Sequence, residues 1–177
     1  PKKERYREYI IAYEYEKLVG GLVDAWEYAG YPKSFFFLEQ ITDWFVRHAP
    51  DQDRDKLYLV EWYTIPENLY RAWQLSKNVK FKKVAERFEY TGFWKKFLEK
   101  KFTLDKTKHA YSHVNSLCSA AQAFMVKGEE KYLTILKNAY QEITCRHIYS
   151  TGGYGPQEDM FGKEGYMGDS LKSAWDN

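Results

Sequence analysis

Residues 151–158, with the sequence TGGYGPQE, combine residue types that suit acid/base chemistry. Glycines permit positive φ angles or a close backbone approach, and Pro156 stiffens the segment just ahead of Glu158. A loop of this kind can direct the Glu158 carboxyl into a cavity, where a carboxyl group can act as general acid/base on a sugar. The same letters also fit a helix end followed by a turn, so both interpretations stay open.

Composition narrows the classes of partner. The 177 residues, enough for one ordinary domain, include 27 basic and 25 acidic side chains and carry a formal charge of +2. No polyanion-binding surface follows from this balance, and nucleic acid is not expected as a partner. Aromatic residues make up 19% of the chain. They suit either a cleft that stacks sugar rings or a tyrosine-rich core.

Cysteines and histidines give no metal site by themselves. Cys118 and Cys145 are too few for a disulfide framework and lack the spacing of a zinc knuckle, and Cys118 is expected to be a buried, inert thiol. His109 and His113 share a helix face, but Ala110 stands where an HExxH site has its glutamate. No metal ligands are therefore predicted in this chain.

Targeting signals are equally sparse. No apolar run is long enough for a membrane span, and the first residues do not resemble a signal peptide. The compartment stays undetermined, with an extracytoplasmic or secreted location left open. A start at Pro1 instead of methionine indicates either processing or a cut from a longer chain.

Hydrophobic periodicity predicts six helices that form three hairpins, at about residues 13–48, 64–97 and 110–147, followed by a glycine-rich loop and tail at 148–177. Turns are expected at Gly30, Lys77 and Gly128, a repeat of roughly 50 residues. Thr64 and Glu67 are predicted to form a capping box, with Pro66 in the first turn. Three of these helices are predicted to bury an apolar face. The residues are Leu18, Leu22, Ala25, Trp26 and Ala29 in the first helix; Phe37, Leu38, Ile41, Trp44 and Phe45 in the second; and Val114, Leu117, Cys118, Ala121 and Met125 in the fifth.

Four motifs, in this order and at this spacing, carry a resemblance to a known family. They are YEYEKL at 13–18, EWYT at 61–64 followed by ENLYRA at 67–72, HAYSHVN at 109–115, and TGGYGP with Glu158. The pattern resembles glycoside hydrolase family 127, the β-L-arabinofuranosidase-like enzymes, over nearly the whole chain. The resemblance implies an all-α fold in which the hairpins form about half of an (α/α)6 toroid, with the active site at its mouth.

The resemblance also implies roles for individual residues. Glu158 matches the family's general acid/base, although Asp159 and Glu164 lie close enough to be mistaken for it. His109 matches a histidine that hydrogen-bonds sugar hydroxyls. Where relatives carry further histidines, at the starts of the first and third helices, this chain offers other candidate substrate-binding residues: Glu14, Glu16, Lys17, Glu61 and Trp62. Tyr154, Trp62 and Tyr63 could stack on a sugar or belong to the core.

Relatives use a cysteine thiolate as nucleophile, held on zinc with a glutamate and further cysteines. Those residues are expected downstream of the acid/base loop, so zinc is expected in the parent enzyme with its ligands outside this chain. The expectation is a retaining glycosidase for terminal arabinofuranosyl linkages, with the rest of the catalytic domain as partner and with this chain inactive alone. A carbohydrate-binding toroid without chemistry and a helical scaffold for protein partners remain the alternatives.

Overall fold

The structure, a computed structural model, describes residues 2–48, 61–101 and 109–155, with side chains from residue 12 onward. These ranges contain a short 3-10 helix, Trp62–Thr64, and seven α helices: α1 Lys2–Glu27, α2 Lys33–His48, α3 Ile65–Ser76, α4 Val79–Arg87, α5 Thr91–Leu98, α6 Ala110–Lys127 and α7 Glu130–Arg146. Within the same ranges no residue is assigned to a strand, and Ile148 and Tyr154 form an isolated bridge. The all-α fold class is confirmed.

Helix α3 packs against both α1 and α6. Arg71 donates from Nη2 to Asp24 Oδ1 at 2.8 Å, and a Cβ built on Gly20 would lie 3.0 Å from the side chain of Asn68. Residue pairs 20/68 and 24/71 advance together along the two helices. Helices α1 and α3 are therefore parallel and in close contact.

Contacts between α3 and α6 show the same parallel arrangement. Tyr63, just before α3, lies 2.7 Å from the Ser112 hydroxyl, measured from Oη to Oγ. The Glu67 backbone N–H donates to Ser119 Oγ at 3.2 Å. Later residues of α3 thus meet later residues of α6, so these helices are parallel too. Helices α3 and α6 therefore begin at the same end of the molecule. Residues 16 and 17 of α1 lie at that end.

A second layer backs these three helices. Helix α2 packs on α1, α4 on α3, and α7 on α6, with α5 packed on α7. Tyr15 Oη donates to Thr42 Oγ1 at 2.9 Å, and the rings of Trp26 and Phe35 lie 4.7 Å apart, which makes α1 and α2 antiparallel. The described helices form consecutive hairpins with one inner and one outer member, as in a toroid-like glycosidase domain.

Helix ends follow the sequence closely. Gly30, Lys77 and Gly128 adopt the left-handed conformation, with φ of 62°, 59° and 69°. The Lys77 and Gly128 N–H groups donate to the carbonyls of Trp73 and Phe124, satisfying carbonyls at the helix end. The three predicted turns are present. The predicted fourth helix, however, is interrupted near Phe88 and restarts at Thr91 as α5.

The capping box predicted at Thr64 is wrong. Thr64 has helical dihedrals, and its hydroxyl donates to the Glu61 carbonyl at 2.8 Å instead of accepting from the helix. The Glu67 N–H is bonded by Ser119 of α6. Pro66 does occupy the first turn as predicted. A neighbouring helix therefore supplies the cap that the local sequence was expected to supply.

The predicted apolar face of α6 is also wrong. Of its members, Cys118 and Met125 are exposed, Met125 by 68%, and the others are half-buried. The buried face carries smaller side chains: Ala110, Ser112, His113, Ser116, Ser119, Ala120 and Ala123. Small residues allow the backbones of α3 and α6 to approach closely, and the Ser119 hydroxyl bonds to backbone groups at the start of α3. On α6, the distance to the neighbouring helix decides which side chains are buried more than their hydrophobicity does.

In α1 and α2, too, the buried face differs from the predicted apolar face, but by fewer residues. Leu18 is 56% exposed, whereas Tyr15, Val19 and Val23 are buried. On α2, Leu38 and Phe45 are buried as predicted, but Phe37 and Trp44 are exposed. Helix α1 packs on α2 and α3, and the rings of Phe35 and Phe45 on α2 contact Phe81 and Phe88.

One buried carboxylate fastens the helices near the far end of α6. Glu89, 8% exposed, accepts from Tyr70 Oη at 2.5 Å, Tyr132 Oη at 2.9 Å and Lys127 Nζ at 2.9 Å. A buried charge with three donors is well satisfied. The contact joins α3, α6, α7 and the connection between α4 and α5.

Candidate active site

Side chains from the three parallel helices meet at the end where α3 and α6 begin. Lys17 of α1, Glu61 just before α3 and His109 at the start of α6 form this group, which we call the rim cluster. His109 Nδ1 lies 3.8 Å from Glu61 Oε1. The Lys17 ammonium lies 6.0 Å from the centre of the Tyr111 ring on α6, which places α1 within reach of α6. Three of the residues predicted to bind substrate are thus brought together.

Lys17 is held by its neighbour in sequence. Its Nζ lies 2.8 Å from Glu16 Oε2 and 4.9 Å from the centre of the Tyr13 ring. Desolvation acts to lower the pKa of Lys17, but the bonded Glu16 carboxylate outweighs it and the pKa is raised. Lys17 therefore stays a positively charged hydrogen-bond donor at the rim.

Glu61 occupies an unusual position. Its backbone has φ 54° and ψ 23°, which lies in the left-handed region that residues other than glycine rarely adopt. Its side chain is 19% exposed, and Oε2 is buried with no hydrogen-bond partner among the described residues. Burial raises the pKa of the Glu61 carboxyl, and the charges of His109 and Lys17 oppose this only in part.

His109 begins α6 as its N-cap. The Ser112 backbone N–H donates to His109 Nδ1 at 3.4 Å, and the Ser112 hydroxyl lies 3.1 Å from the same nitrogen. This cap fixes the imidazole ring beside the Glu61 carboxyl. Because Nδ1 accepts from the backbone, the neutral ring carries its proton on Nε2.

The glycine-rich loop is tied to the same end of α6. Tyr154 Oη donates to the Ala110 carbonyl at 2.6 Å, and the Tyr149 N–H donates to the Gly153 carbonyl at 2.7 Å. Gly152 and Gly155 have φ of 88° and 78°, so the predicted need for glycine is confirmed at these two positions. The half-buried Tyr154 ring anchors the loop, and burial raises the pKa of its hydroxyl.

Two other predicted residues lie apart from the rim cluster. Trp62 is 1% exposed, and its ring packs on Tyr90 at 5.1 Å, so it offers no face to a sugar; the prediction of a stacking platform is corrected here because the residue belongs to the core. Glu14 is exposed and lines a groove of about 340 Å³ between α1 and α2, together with Leu18 and Trp44.

Ser112 was not singled out from the sequence, and His113 and Glu67 were considered only for a metal site and a helix cap. Ser112 supports both His109 and the Tyr63 hydroxyl, while His113 is buried with Nδ1 at 2.8 Å from the His109 carbonyl. The spacing of Ser112, Ser116, Ser119 and Ala123 on one helix face was the available signal, since small residues in this register indicate a close helix contact. Glu67 lies in the first turn of α3, and burial raises the pKa of its carboxyl.

Taken together, the rim cluster offers a cationic donor, a carboxylate acceptor and an imidazole beside a tethered loop. Such a set binds neutral polyols, whose hydroxyls both donate and accept hydrogen bonds. A family model described as the β-L-arabinofuranosidase, GH127 catalytic domain, matches residues 1–174. The chain belongs to glycoside hydrolase family 127. No curated protein matches the chain.

Membership of family 127 makes this chain part of the β-L-arabinofuranosidase family of glycoside hydrolases, so a carbohydrate substrate follows from the family. The predicted acid/base, Glu158, belongs to the matched range but lies outside the described residues, as do Asp159 and Glu164. In the described part of the chain, no helix is long and apolar enough to cross a membrane.

Zinc, which the resemblance to family 127 implies, was tested against the residues present. No group of three or more histidine, cysteine, aspartate or glutamate side chains within the described ranges could hold a metal ion. Cys118 and Cys145 are both exposed, which corrects the expectation of a buried Cys118 thiol. Partial desolvation and the charge of Glu67 raise the pKa of Cys118, away from the thiolate that metals bind. The described residues do not fit a zinc site.

Proposed function

We propose that the chain carries the sugar-binding and proton-donating part of a retaining glycosidase that cleaves terminal arabinofuranosyl linkages. Lys17, Glu61 and His109 bind hydroxyls of the sugar, and Glu158 acts as general acid/base. The family match supports the substrate class, and the rim cluster supports the binding role.

The observation that carries this proposal is the tether of the glycine-rich loop to α6. Tyr154 Oη is bonded to the carbonyl of Ala110, the residue next to His109. Glu158 follows Gly155 by three positions in the sequence. Each residue extends the chain by at most about 3.6 Å, so the Glu158 Cα lies within about 11 Å of that of Gly155. We therefore propose that the Glu158 side chain reaches a sugar bound at the rim.

The chemistry divides between two groups. Glu158, in its protonated form, gives its proton to the glycosidic oxygen as the bond to the anomeric carbon breaks, and a nucleophile forms the new bond on the opposite face. The Glu158 carboxylate then removes a proton from water, which displaces the nucleophile and releases the sugar. The resemblance places the nucleophile in the remaining part of the catalytic domain.

Kinetics of the full-length protein test the role of Glu158. We expect Glu158→Gln to lower kcat/KM for an alkyl β-L-arabinofuranoside by about 10²- to 10⁴-fold, because general acid catalysis contributes a factor of that size. The loss should be much smaller with a nitrophenyl leaving group, which departs without protonation. Asp159→Asn and Glu164→Gln are the matched controls and should retain activity. Loss of activity in either control, with Glu158→Gln unaffected, would assign the acid/base elsewhere in the loop.

We further propose that additional helical hairpins of the same domain cover the exposed apolar side chains of α1, α2 and α6. Leu18 and Trp44 line the groove on α1 and α2, and Met125 is 68% exposed on α6. Apolar surface of this kind marks an interface. The nucleophile would arrive with those hairpins, so the chain alone would not complete the reaction.

A further inference from the structure

Helix α7 ends at His147 in a different way from the helices that lead into glycine turns. Gly30 and Gly128, in the turns after α1 and α6, have positive φ. His147 instead has φ −128°, and its N–H donates to the Ile143 carbonyl at 2.9 Å. The direction in which the chain leaves α7 is therefore not set by a left-handed residue. The glycine-rich loop begins at the next position, 148.

A largely buried side-chain pair lies at this exit from α7. His147 Nε2 is 3.3 Å from Glu142 Oε1, and the two side chains are 13% and 7% exposed. A carboxylate only accepts hydrogen bonds, so Nε2 carries a proton and donates it to the bond. Burial of a carboxylate is costly unless a donor meets it. Arg146, which also lies near Glu142, is 65% exposed, so the His147 ring is the buried donor of this pair.

The loop that follows is closed by its own backbone bonds. The Tyr149 N–H donates to the Gly153 carbonyl at 2.7 Å, and the Tyr149 carbonyl accepts from the Gly152 N–H at 2.8 Å. Because these bonds hold the segment together, its orientation depends on where it is attached to the helices. One attachment is the bond of Tyr154 to α6, and the other is His147 at the end of α7.

We propose that His147 is a positioning residue: bonded to Glu142, it fixes the glycine-rich loop at the end of α7 and so places the Glu158 carboxyl at the glycosidic oxygen. The pair acts only through the loop and touches neither the sugar nor the nucleophile. A general acid must lie within hydrogen-bond reach of the leaving oxygen, and a displacement of about 1 Å can cost about 10²-fold in rate. This inference rests on the proposed function and adds the residues that aim its acid/base.

Two substitutions that differ by one methylene group test the pair in the full-length protein. The amide of His147→Gln reaches the position of Nε2 and still donates to Glu142, whereas the shorter amide of His147→Asn does not. We expect His147→Asn to lower kcat/KM for an alkyl β-L-arabinofuranoside by about 10- to 100-fold. His147→Gln should stay within about threefold of the wild type. With a nitrophenyl leaving group, which departs without protonation, both variants should stay within about threefold.

Two further comparisons separate positioning from loss of structure. Arg146→Gln is the matched control, since Arg146 also lies beside Glu142 but is exposed, and it should match the wild type with both substrates. Calorimetry should show that His147→Asn binds L-arabinose as the wild type does, because the rim cluster is left intact. Glu142→Ala, which removes the acceptor, should cost the alkyl substrate as much as His147→Asn, and the double variant should lose no more than either single one.

The inference is overturned if His147→Asn lowers kcat/KM equally for both leaving groups, or if His147→Asn and His147→Gln behave alike. It is equally overturned if His147→Asn weakens L-arabinose binding and lowers the melting temperature by more than about 5 °C, which would make the pair structural. The Glu158→Gln variant tells the two failures apart. If its loss does not depend on the leaving group, the proposed function itself fails; if only the His147 variants lack that dependence, this inference alone fails.

Discussion

At the scale of single residues, Glu61 shows how a site acts against the stability of its own fold. Burial disfavours the ionised carboxyl, and the nearby His109 and Lys17 restore only part of the lost solvation. The pKa of Glu61 is therefore raised in the folded protein. A carboxyl with a raised folded pKa binds its proton more tightly in the folded state, so stability falls as the pH rises from the unfolded pKa through the folded one.

We expect Glu61→Gln to stabilise the full-length protein at pH 7, because the amide is buried without the cost of a charge. This gain should shrink toward zero as the pH falls below the unfolded pKa of glutamate, near 4.3, where the wild-type carboxyl is protonated in both states. Urea unfolding at pH 4 and pH 7 measures both values. Glu14→Gln, an exposed carboxyl on α1, is the control and should change little at either pH. A Gln variant less stable than the wild type at pH 7 would contradict the sign.

At the scale of elements, the start of α3 depends on α6. The Glu67 N–H is one of the donors that a helix start leaves without an intrahelical partner, and Ser119 Oγ accepts it at 3.2 Å. The same hydroxyl lies 3.2 Å from the Tyr63 carbonyl. One buried serine therefore serves as an N-cap from another helix and holds α3 and α6 in register at the rim cluster.

Ser119→Ala should destabilise the full-length protein by about 1–2 kcal/mol, the usual cost of losing a cap with a buried partner left unsatisfied. Chemical denaturation measures the free energy of unfolding. The adjacent substitution Cys118→Ala is the control, since Cys118 is exposed, and it should stay within about 0.5 kcal/mol of the wild type. Equal effects of the two substitutions would show that the Ser119 bond contributes nothing.

At the scale of the whole molecule, two of the inner helices, α1 and α6, keep apolar side chains on the surface. Leu18 is 56% exposed on α1 and Met125 is 68% exposed on α6. The sequence places apolar residues there at helical spacing, which is typical of a face that packs on something. Within the proposed function, further hairpins cover these faces and bring the nucleophile.

We expect the purified 177-residue chain to show no turnover of an aryl β-L-arabinofuranoside under conditions where the full-length protein is active, because in the proposed mechanism it supplies the proton donor without the nucleophile. A continuous release assay measures this, with circular dichroism to establish that the chain is helical. The proposal of divided roles would be refuted by turnover that Glu158→Gln abolishes and that chelators leave unchanged.

The sequence by itself determined most of the helices, the three turns and the family, but not the break between α4 and α5. Gly30 and Gly128 sit where left-handed backbone ends a helix, and this requirement is local enough to be read from residue type. The need for glycine in the loop at 151–155 was predicted from residue type in the same way. The motifs identified the family because they lie in fixed order along the chain, independent of how the helices pack.

Only the tertiary structure decided which faces are buried and which side chains meet. Three parallel helices in close contact bury Ser112, Ser116 and Ser119, whereas Leu18 and Met125 stay exposed, because backbone spacing favours small residues whatever their polarity. Trp62 was assigned to the rim by its position, yet its side chain turns into the core. Lys17, Glu61 and His109 lie far apart in sequence, and only the register of α1, α3 and α6 brings them into one cluster.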